Sequence, residues 1–155
     1  HIDDAMTAWP TVRVDRFQLH RVDPNTPIDV TVAALADAHA AGKIRLIGLS
    51  NVSVDELRAA QAVAPIASVQ NRYNVLERDQ DAMIDVTAAE GIAFIPYGPL
   101  GAHPMKPGAP LAAAAGQGTR TGAQTALRTL LDRAPNIIVI PGTTSITHLE
   151  ENVLA

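Results

Sequence analysis

The 155-residue chain contains no cysteine. This absence excludes disulfide bonds, thiolate metal sites and a cysteine nucleophile, but it does not identify a compartment, because a cytosolic protein needs no cysteine. The sequence also lacks a secretory signal and any apolar stretch long enough to cross a bilayer, so we expect a cytoplasmic protein without a membrane partner. No histidine and acidic residues have the spacing of metal ligands, and we expect no metal site.

Basic residues and tyrosines are also few. The 12 Lys and Arg residues are outnumbered by 16 Asp and Glu residues, which gives a formal net charge of -4 and leaves no basic stripe for nucleic acid. The only tyrosines are Tyr73 and Tyr97. The length and the hydrophobic content of 47% are nevertheless sufficient for one domain with a sizeable core.

Both ends of the sequence have the pattern of interrupted structure. Residues 1–8 are typical of the middle of a helix, and the segment from Ser145 to Ala155 begins a helix that stops after about three turns. We therefore expect residues 1–155 to form a single partial domain that is truncated at both ends.

Five short apolar runs, with helical periodicity between them, predict alternating strands and helices. They are Asp15–His20, Ile44–Asn51, Ala67–Asn71, Ile92–Tyr97 and Asn136–Thr143. Alternation of this kind predicts a parallel α/β sheet, because parallel neighbours are joined by crossover helices. The carboxyl ends of parallel strands meet at one face, which in (β/α) barrels holds the active site. That face would carry His20, Ser50, Asn51, Gln70, Tyr97 and the Pro141–Ser145 loop around a single site.

Start and stop signals predict helices between these runs. A hydroxyl before a proline favours a capped start at Thr26-Pro27, and a glycine at position 42 would end that helix. Capping boxes stand at Ser53–Glu56 and Thr121–Gln124, a further helix is expected from about Asp79 to Glu90 with Gly91 beyond it, and Ser145 is the expected cap of the last helix.

One connection is unusually long. The segment from Pro99 to about Arg120 is rich in Gly, Pro and Ala, which is typical of a lid or a disordered loop. Leu111 to Ala115 within it could form one helical turn. Because the segment follows Tyr97, a lid here would cover whatever the site binds.

Several motifs in this chain resemble those of the aldo-keto reductases, in the order and spacing of that family. They are Gln18-Leu-His-Arg21, Gly42-Lys-Ile-Arg45, Ile47-Gly-Leu-Ser-Asn51, Val69-Gln-Asn-Arg-Tyr-Asn74, Pro96-Tyr-Gly-Pro-Leu-Gly101, Ile140-Pro-Gly-Thr-Thr144 and His148-Leu-Glu-Glu-Asn152. The resemblance implies a (β/α)8 TIM barrel, of which this chain would supply strands four to eight, about five β/α units. It also implies reduction of a small aldehyde or ketone to an alcohol with NADPH.

The resemblance assigns a role to each matching position. His20 matches the catalytic histidine that orients the substrate carbonyl, and Tyr97 matches the aromatic residue that stacks on the nicotinamide. Ser50, Asn51 and Gln70 match the groups that bind the nicotinamide carboxamide, Leu100 matches the loop over the pyrophosphate, and Thr143, Thr144, Ser145, His148, Glu151 and Asn152 match the segment at the adenosine end.

From the residues alone, purely structural roles stay open for these positions. Ser50 and Asn51 favour turns in any protein, and Gln70 in an apolar strand needs a partner that is either backbone or ligand. Tyr97 after a proline could equally be a core or rim aromatic residue.

Two departures from the family pattern bear on function. Nothing before His20 matches the Tyr, Lys and Asp of the catalytic tetrad, so the alternatives are a catalytically inactive nucleotide-binding or regulatory module and an inert barrel fragment. Gly142 and His148 stand where many members have Lys and Arg for the 2′-phosphate. Hydroxyls and amides at the start of the last helix could still bind that phosphate, which favours NADPH over NADH. No feature specifies an oligomeric state.

Overall fold

The chain forms parallel strands joined by helices, and it divides into two compact units. The computed structural model describes residues 2–8, 13–101 and 120–155, and the two units divide after Gln70. Most of the predicted lid, including the helical turn at Leu111–Ala115, lies outside the described residues.

The first unit contains the three parallel strands β1, β2 and β3. Their order is β1-β2-β3, so each strand pairs with the next strand along the chain. The elements are α1 (Ile2–Ala8), β1 (Val14–Leu19), α2 (Ile28–Ala40), β2 (Ile44–Ser50), α3 (Val54–Gln61) and β3 (Ser68–Gln70). Its buried side chains are mainly aliphatic and include Val32, Leu35, Ile44, Leu49, Leu57 and Val69.

The helix starts of the first unit follow from local side-chain chemistry. At α3 the Ser53 side chain accepts from the Glu56 amide and the Glu56 carboxylate accepts from the Ser53 amide, which confirms the predicted capping box. The predicted cap of α2 by the Thr26 hydroxyl is wrong. That hydroxyl donates to Asp23 Oδ2 at 3.2 Å, because Asp23 organises its own turn, and Pro27 occupies the cap position without a side-chain bond.

The second unit has less regular strand structure. It contains α4 (Asp81–Ala89), β4 (Ala93–Phe94), α5 (Gly122–Arg133) and α6 (Ile146–Val153). The predicted capping box at Thr121 is present at the start of α5, and Ser145 caps α6 as expected. The buried side chains include Tyr73, Met83, Ile84, Phe94, Leu127 and Leu130.

The last two predicted strands are much shorter than expected. The run Ile92–Tyr97 forms a strand only at Ala93–Phe94, with an isolated bridge at Tyr97, because Pro96 between them has no amide hydrogen to donate to a ladder. The run Asn136–Thr143 was wrongly predicted as a full strand, since only Ile137 forms a bridge, to Phe94. Beyond it Ile138 and Ile140 are exposed, so nothing in the described part of the chain extends the pairing.

A close contact between β1 and β3 across β2 requires glycine at position 48. A Cβ there would lie 2.6 Å from Ser68 Oγ and closer still to Gln18 Oε1. The Gln18 amide is held in place because its Nε2 donates to the Leu49 carbonyl, and Ser68 is buried. The neighbouring strands therefore approach β2 at a point where no side chain fits.

We expect Gly48→Ala to lower the free energy of unfolding by about 1–3 kcal/mol, because the added methyl group overpacks this layer. Gly142→Ala is the matched control, since a Cβ at Gly142 would meet nothing within 4 Å. Urea denaturation followed by circular dichroism measures both. Equal stability of the two variants would contradict the packing argument.

Candidate active site

The parallel register of the first unit brings four predicted site residues to one edge of the sheet. Leu19 pairs with Leu49, and Ser50 pairs with Gln70, so the strands end side by side. His20 and Asn51 are the next residues after β1 and β2. Polar side chains therefore follow three adjacent strands at their carboxyl ends, as the sequence predicts.

His20 lies exposed at the end of β1. Its backbone carbonyl accepts a hydrogen bond of 2.8 Å from Asn51 Nδ2, which ties the ends of β1 and β2 together. The imidazole has no hydrogen-bond or ion-pair partner among residues 2–8, 13–101 and 120–155. The ring is thus held at the strand ends by its backbone and is available to a ligand.

Ser50 and Asn51 form a tightly bonded turn after β2. Ser50 is 3% exposed, and its hydroxyl donates to the Gln70 backbone carbonyl at 2.7 Å. The backbone amide of Asn51 donates to the same carbonyl at 3.2 Å. Asn51 Nδ2 also donates to Ser50 Oγ at 3.1 Å. Because the Ser50 proton is directed to the backbone, Ser50 can offer a ligand only an acceptor lone pair.

Asn51 adopts a backbone conformation that few side chains favour. Its φ is 57°, in the left-handed region, where asparagine is tolerated better than other residues with a Cβ. This conformation turns the chain from β2 toward α3, which begins at Val54. The residue type is thus explained by the turn itself as well as by any ligand.

Gln70 is half-buried at the end of β3. Its backbone carbonyl receives the two bonds from Ser50 and Asn51, whereas its side-chain amide has no partner in the described part of the chain. A half-buried amide without a protein partner can bind a ligand as both donor and acceptor. Together with His20, it supplies the unpartnered polar groups of this edge.

A cavity of about 440 Å³ opens beside this edge. Arg21, Val22 and Pro24 line it from the loop after β1, and Asn51 and Glu56 line it from the turn and the start of α3. The lining therefore carries one cationic and one anionic side chain as well as the Asn51 amide.

Tyr97, in the second unit, is held through its backbone. Its amide donates to the Asn71 carbonyl at 3.0 Å and its carbonyl accepts from the Tyr73 amide at 3.3 Å. The side chain is half-buried. The chain then turns at Gly98, whose φ is 62° and whose carbonyl accepts from the Gly101 amide at 2.9 Å, so the half-buried Leu100 lies within this turn.

The predicted adenosine segment runs from the loop before α6 to the last turn of that helix. Ser145 Oγ accepts from the His148 amide at 3.4 Å, and Thr143 Oγ1 accepts from the Ser145 amide at 3.1 Å. Further along, the Glu151 carbonyl accepts from Gln124 Nε2 at 3.0 Å, which attaches α6 to α5. Within the ranges that the structure describes, four polar side chains here have no partner: Thr144, His148, Glu151 and Asn152.

Sequence reasoning missed a polar network next to Tyr97. Tyr73 is buried, and its hydroxyl donates to Asp81 Oδ1 at 2.6 Å. Arg78 and Arg133 also contact Asp81, each at 3.2 Å. The motif containing Tyr73 is visible in the sequence, but nothing local indicates that its partners lie at the start of one helix and the end of another.

The environments of Tyr73 and Asp81 shift their pKa values in opposite directions. Burial, and then the hydrogen bond to Asp81, raises the pKa of Tyr73, so the phenol stays neutral and remains a donor. The bond from the Tyr73 hydroxyl, with further bonds from Arg78 and Arg133, lowers the pKa of Asp81. The carboxylate is therefore the ionised acceptor of this network at neutral pH.

Comparison with known proteins identifies the family. The aldo/keto reductase family model matches residues 5–107, so this chain belongs to the aldo/keto reductase family. The pyridoxine 4-dehydrogenase of Escherichia coli is 42% identical over 128 residues, which cover 83% of this chain and 45% of that protein. The chain spans about half the length of the curated relatives it matches.

Solved structures of the family confirm the fold class. A thermostable aldo-keto reductase in complex with the inhibitor epalrestat is 27% identical, with a TM-score of 0.86 over 99% of this chain and 58% of that one. An aldo/keto reductase from Klebsiella pneumoniae in complex with NADP and acetate is 25% identical, with a TM-score of 0.83 over 99% of this chain and 56% of that one. The chain is thus an α/β protein with the (β/α)8 barrel as its parent fold.

The described residues carry neither a membrane-spanning helix nor a cluster of metal-ligand side chains. No helix among them is both long and apolar enough to cross a membrane. Within the same ranges, no group of three or more histidine and acidic side chains could hold a metal ion.

The backbone conformation of Asn51 leads to a stability prediction. We expect Asn51→Ala to be less stable than Asn51→Gly by about 1 kcal/mol, although glycine is normally the less stable replacement, because alanine must hold a positive φ. Both variants lose the amide bonds to His20 and Ser50, so their difference isolates the backbone. Urea denaturation measures it, and a more stable alanine variant would contradict the assignment of strain.

Proposed function

We propose that the protein containing this chain reduces aldehydes or ketones to alcohols with NADPH. The observation that carries the proposal is the edge where β1, β2 and β3 end. There the His20 imidazole and the Gln70 side-chain amide, which have no partner among the described residues, flank the bonded Ser50–Asn51 turn. Family membership and the NADP complex of the Klebsiella pneumoniae structure support the same chemistry.

His20 is the residue we assign to the substrate. When bound, NADPH supplies a hydride to the carbonyl carbon, and negative charge then develops on the carbonyl oxygen. A ring nitrogen of the exposed imidazole would donate a hydrogen bond to that oxygen and orient the carbonyl. The fixed backbone of His20, bonded to Asn51, is consistent with this positioning role.

The turn and the β3 end would hold the nicotinamide carboxamide. The Gln70 amide can both donate and accept, and Ser50 can accept, so the donor set fits a primary amide. Fixing the carboxamide prevents rotation of the ring and selects the face that meets the carbonyl. Asn51 would complete the group at this position.

The second unit would hold the rest of the cofactor. We assign the Tyr97 ring to one nicotinamide face and Leu100 to the cover of the pyrophosphate, and we assign the adenosine end to Thr143, Thr144, Ser145, His148, Glu151 and Asn152. The polar side chains in and before α6 that have no partner in the described part of the chain support that last assignment.

The 2′-phosphate is the group that would distinguish NADPH from NADH. Hydroxyls of the Thr143–Ser145 turn lie where the positive end of the α6 dipole favours an anion. The His148 side chain, on the first turn of α6, has no partner among the described residues and could add a further donor. NADPH is therefore the cofactor we propose.

The proton that completes the alcohol has to come from outside these residues. The two tyrosines of the chain are engaged elsewhere, Tyr73 with Asp81 and Tyr97 in the proposed nicotinamide site. We propose that the tetrad Tyr, with its Lys and Asp partners, is supplied by other parts of the whole protein. Without them the nucleotide site would bind and not catalyse, which is the alternative of a nucleotide-binding or regulatory module.

We expect His20→Ala in the whole protein to lower kcat/KM about 10²-fold, because an oriented donor to the developing oxyanion is lost. The NADPH dissociation constant should change less than about twofold, a few tenths of a kcal/mol. Absorbance of NADPH during turnover of an aldehyde and ketone panel measures the rate. Pyridoxine, suggested by the name of the Escherichia coli relative, tests the reverse direction with NADP.

His39→Ala is the matched control, because His39 is exposed on α2 and its imidazole forms a single hydrogen bond within the described residues, with the Ile44 carbonyl at 3.2 Å. It should leave turnover unchanged. Binding of NADPH by the unaltered protein without turnover of any substrate would favour the regulatory module. If the unaltered protein neither binds NADPH nor turns over any substrate, the reductase proposal is refuted.

A further inference from the structure

The backbone of Tyr97 depends on one short segment of the second unit. The Tyr97 amide donates to Asn71, its carbonyl accepts from Tyr73, and the intervening Arg72 forms the parallel bridge with Tyr97. A displacement of residues 71–73 would therefore move both partners of these Tyr97 backbone bonds.

That segment is in turn attached to the start of α4 by two side-chain bonds. The Tyr73 hydroxyl donates to Asp81 Oδ1 at 2.6 Å, and Asn71 Nδ2 donates to Gln80 Oε1 at 2.7 Å. Tyr73 is only 1% exposed, and its ring meets Phe94 edge-on with the centroids 6.1 Å apart. Because the Tyr73 ring is buried, a displacement of its hydroxyl would also displace the Tyr73 backbone.

Asp81 is the residue at which the attachments converge. Besides the Tyr73 hydroxyl, it contacts Arg78 and the Arg133 side chain at the end of α5. Arg133 also donates to the Asp81 backbone carbonyl at 3.3 Å. Asp85, one turn further along α4, also contacts Arg133, whose guanidinium lies 2.7 Å from Asp85 Oδ1. Asp85 forms no hydrogen bond to Tyr73.

We propose that Asp81 is a positioning residue that acts through Tyr73 on the backbone of Tyr97, and so sets the plane of the ring on which the nicotinamide stacks. The inference rests on the proposed function for the role of the Tyr97 ring. The connection from Asp81 to the Tyr97 backbone does not depend on it. Asp81 touches no reacting group, so its effect should appear in binding of the nicotinamide end.

The connection is tested first without cofactor, by amide hydrogen exchange in the whole protein. In Asp81→Ala we expect the Tyr97 and Tyr73 amides to exchange about tenfold faster, because loss of a charged hydrogen-bond acceptor frees the segment. Asp85→Ala is the matched control, since it removes a carboxylate from the same helix and the same arginine. It should leave both amides within about twofold of the unaltered protein, a few tenths of a kcal/mol.

Two further variants separate the connection from damage to α4. Tyr73→Phe removes only the hydroxyl, leaves the start of α4 intact, and should accelerate the same amides. Asp81→Asn keeps an oxygen acceptor for the hydroxyl and should restore most of the protection. If Asp81→Ala does not fold, these two variants decide the question between them.

The functional consequence is tested by comparing two ligands. We expect Asp81→Ala and Tyr73→Phe to weaken NADPH binding about threefold to tenfold. Binding of 2′,5′-ADP, which lacks the nicotinamide, should stay unchanged, as should binding of both ligands to Asp85→Ala. General destabilisation would instead weaken both ligands together.

The outcomes separate this inference from the proposed function. Unchanged exchange at Tyr97 in both Asp81→Ala and Tyr73→Phe would overturn the inference, whatever the protein binds. Equal weakening of NADPH and 2′,5′-ADP would also overturn it, because the effect would not be confined to the nicotinamide end. Failure of the unaltered protein to bind NADPH would refute the proposed function, while faster exchange would still establish the connection to Tyr97.

Discussion

The parallel register of β1, β2 and β3 is the constraint on which the candidate site depends. Pairing of Leu19 with Leu49 and of Ser50 with Gln70 makes three strands end at the same level. A shift by one residue would turn the side chains of a strand to the opposite face of the sheet. The absence of a side chain at Gly48 supports this register, because it lets Gln18 and Ser68 meet across β2. The site therefore begins with backbone pairing and close packing, before any functional group is considered.

At the strand ends, the same polar groups serve structure and candidate function. Ser50 and Asn51 direct most of their bonds to the neighbouring backbone, at Gln70 and His20. This leaves the His20 imidazole and the Gln70 amide as the groups available to a ligand. Rigid support of a few partner-free polar side chains is what positioning of a carbonyl and a carboxamide requires. In the second unit, backbone bonds from Asn71 and Tyr73 support Tyr97 in a comparable way.

Prediction from sequence succeeded where the interaction is local and failed where a competing partner lies elsewhere. The capping boxes at Ser53 and Thr121 formed because both partners lie within three residues. Thr26 is a residue type that favours helix caps, yet its hydroxyl donates to Asp23 instead of capping α2. The apolar run that begins at Asn136 has the composition of a strand, but a strand needs a neighbouring strand to pair with. Among the described residues, this run forms a single bridge, between Ile137 and Phe94. The roles of the individual site residues stay predictions, since their ligands are inferred from resemblance.

The sequence by itself determined the family, the alternation of strands and helices, and the positions of the polar residues that end the strands, because these depend on periodicity, capping and short motifs. Only the tertiary structure decided which of those groups remain without protein partners and which are bonded to backbone. It alone also showed that Tyr73 meets Asp81 and that Arg133 reaches the same carboxylate. The physical reason is that Arg133 lies 52 positions from Asp81 and Tyr73 lies eight positions from it on a different element, so that the geometry of both contacts follows from the packing of whole elements rather than from a local pattern.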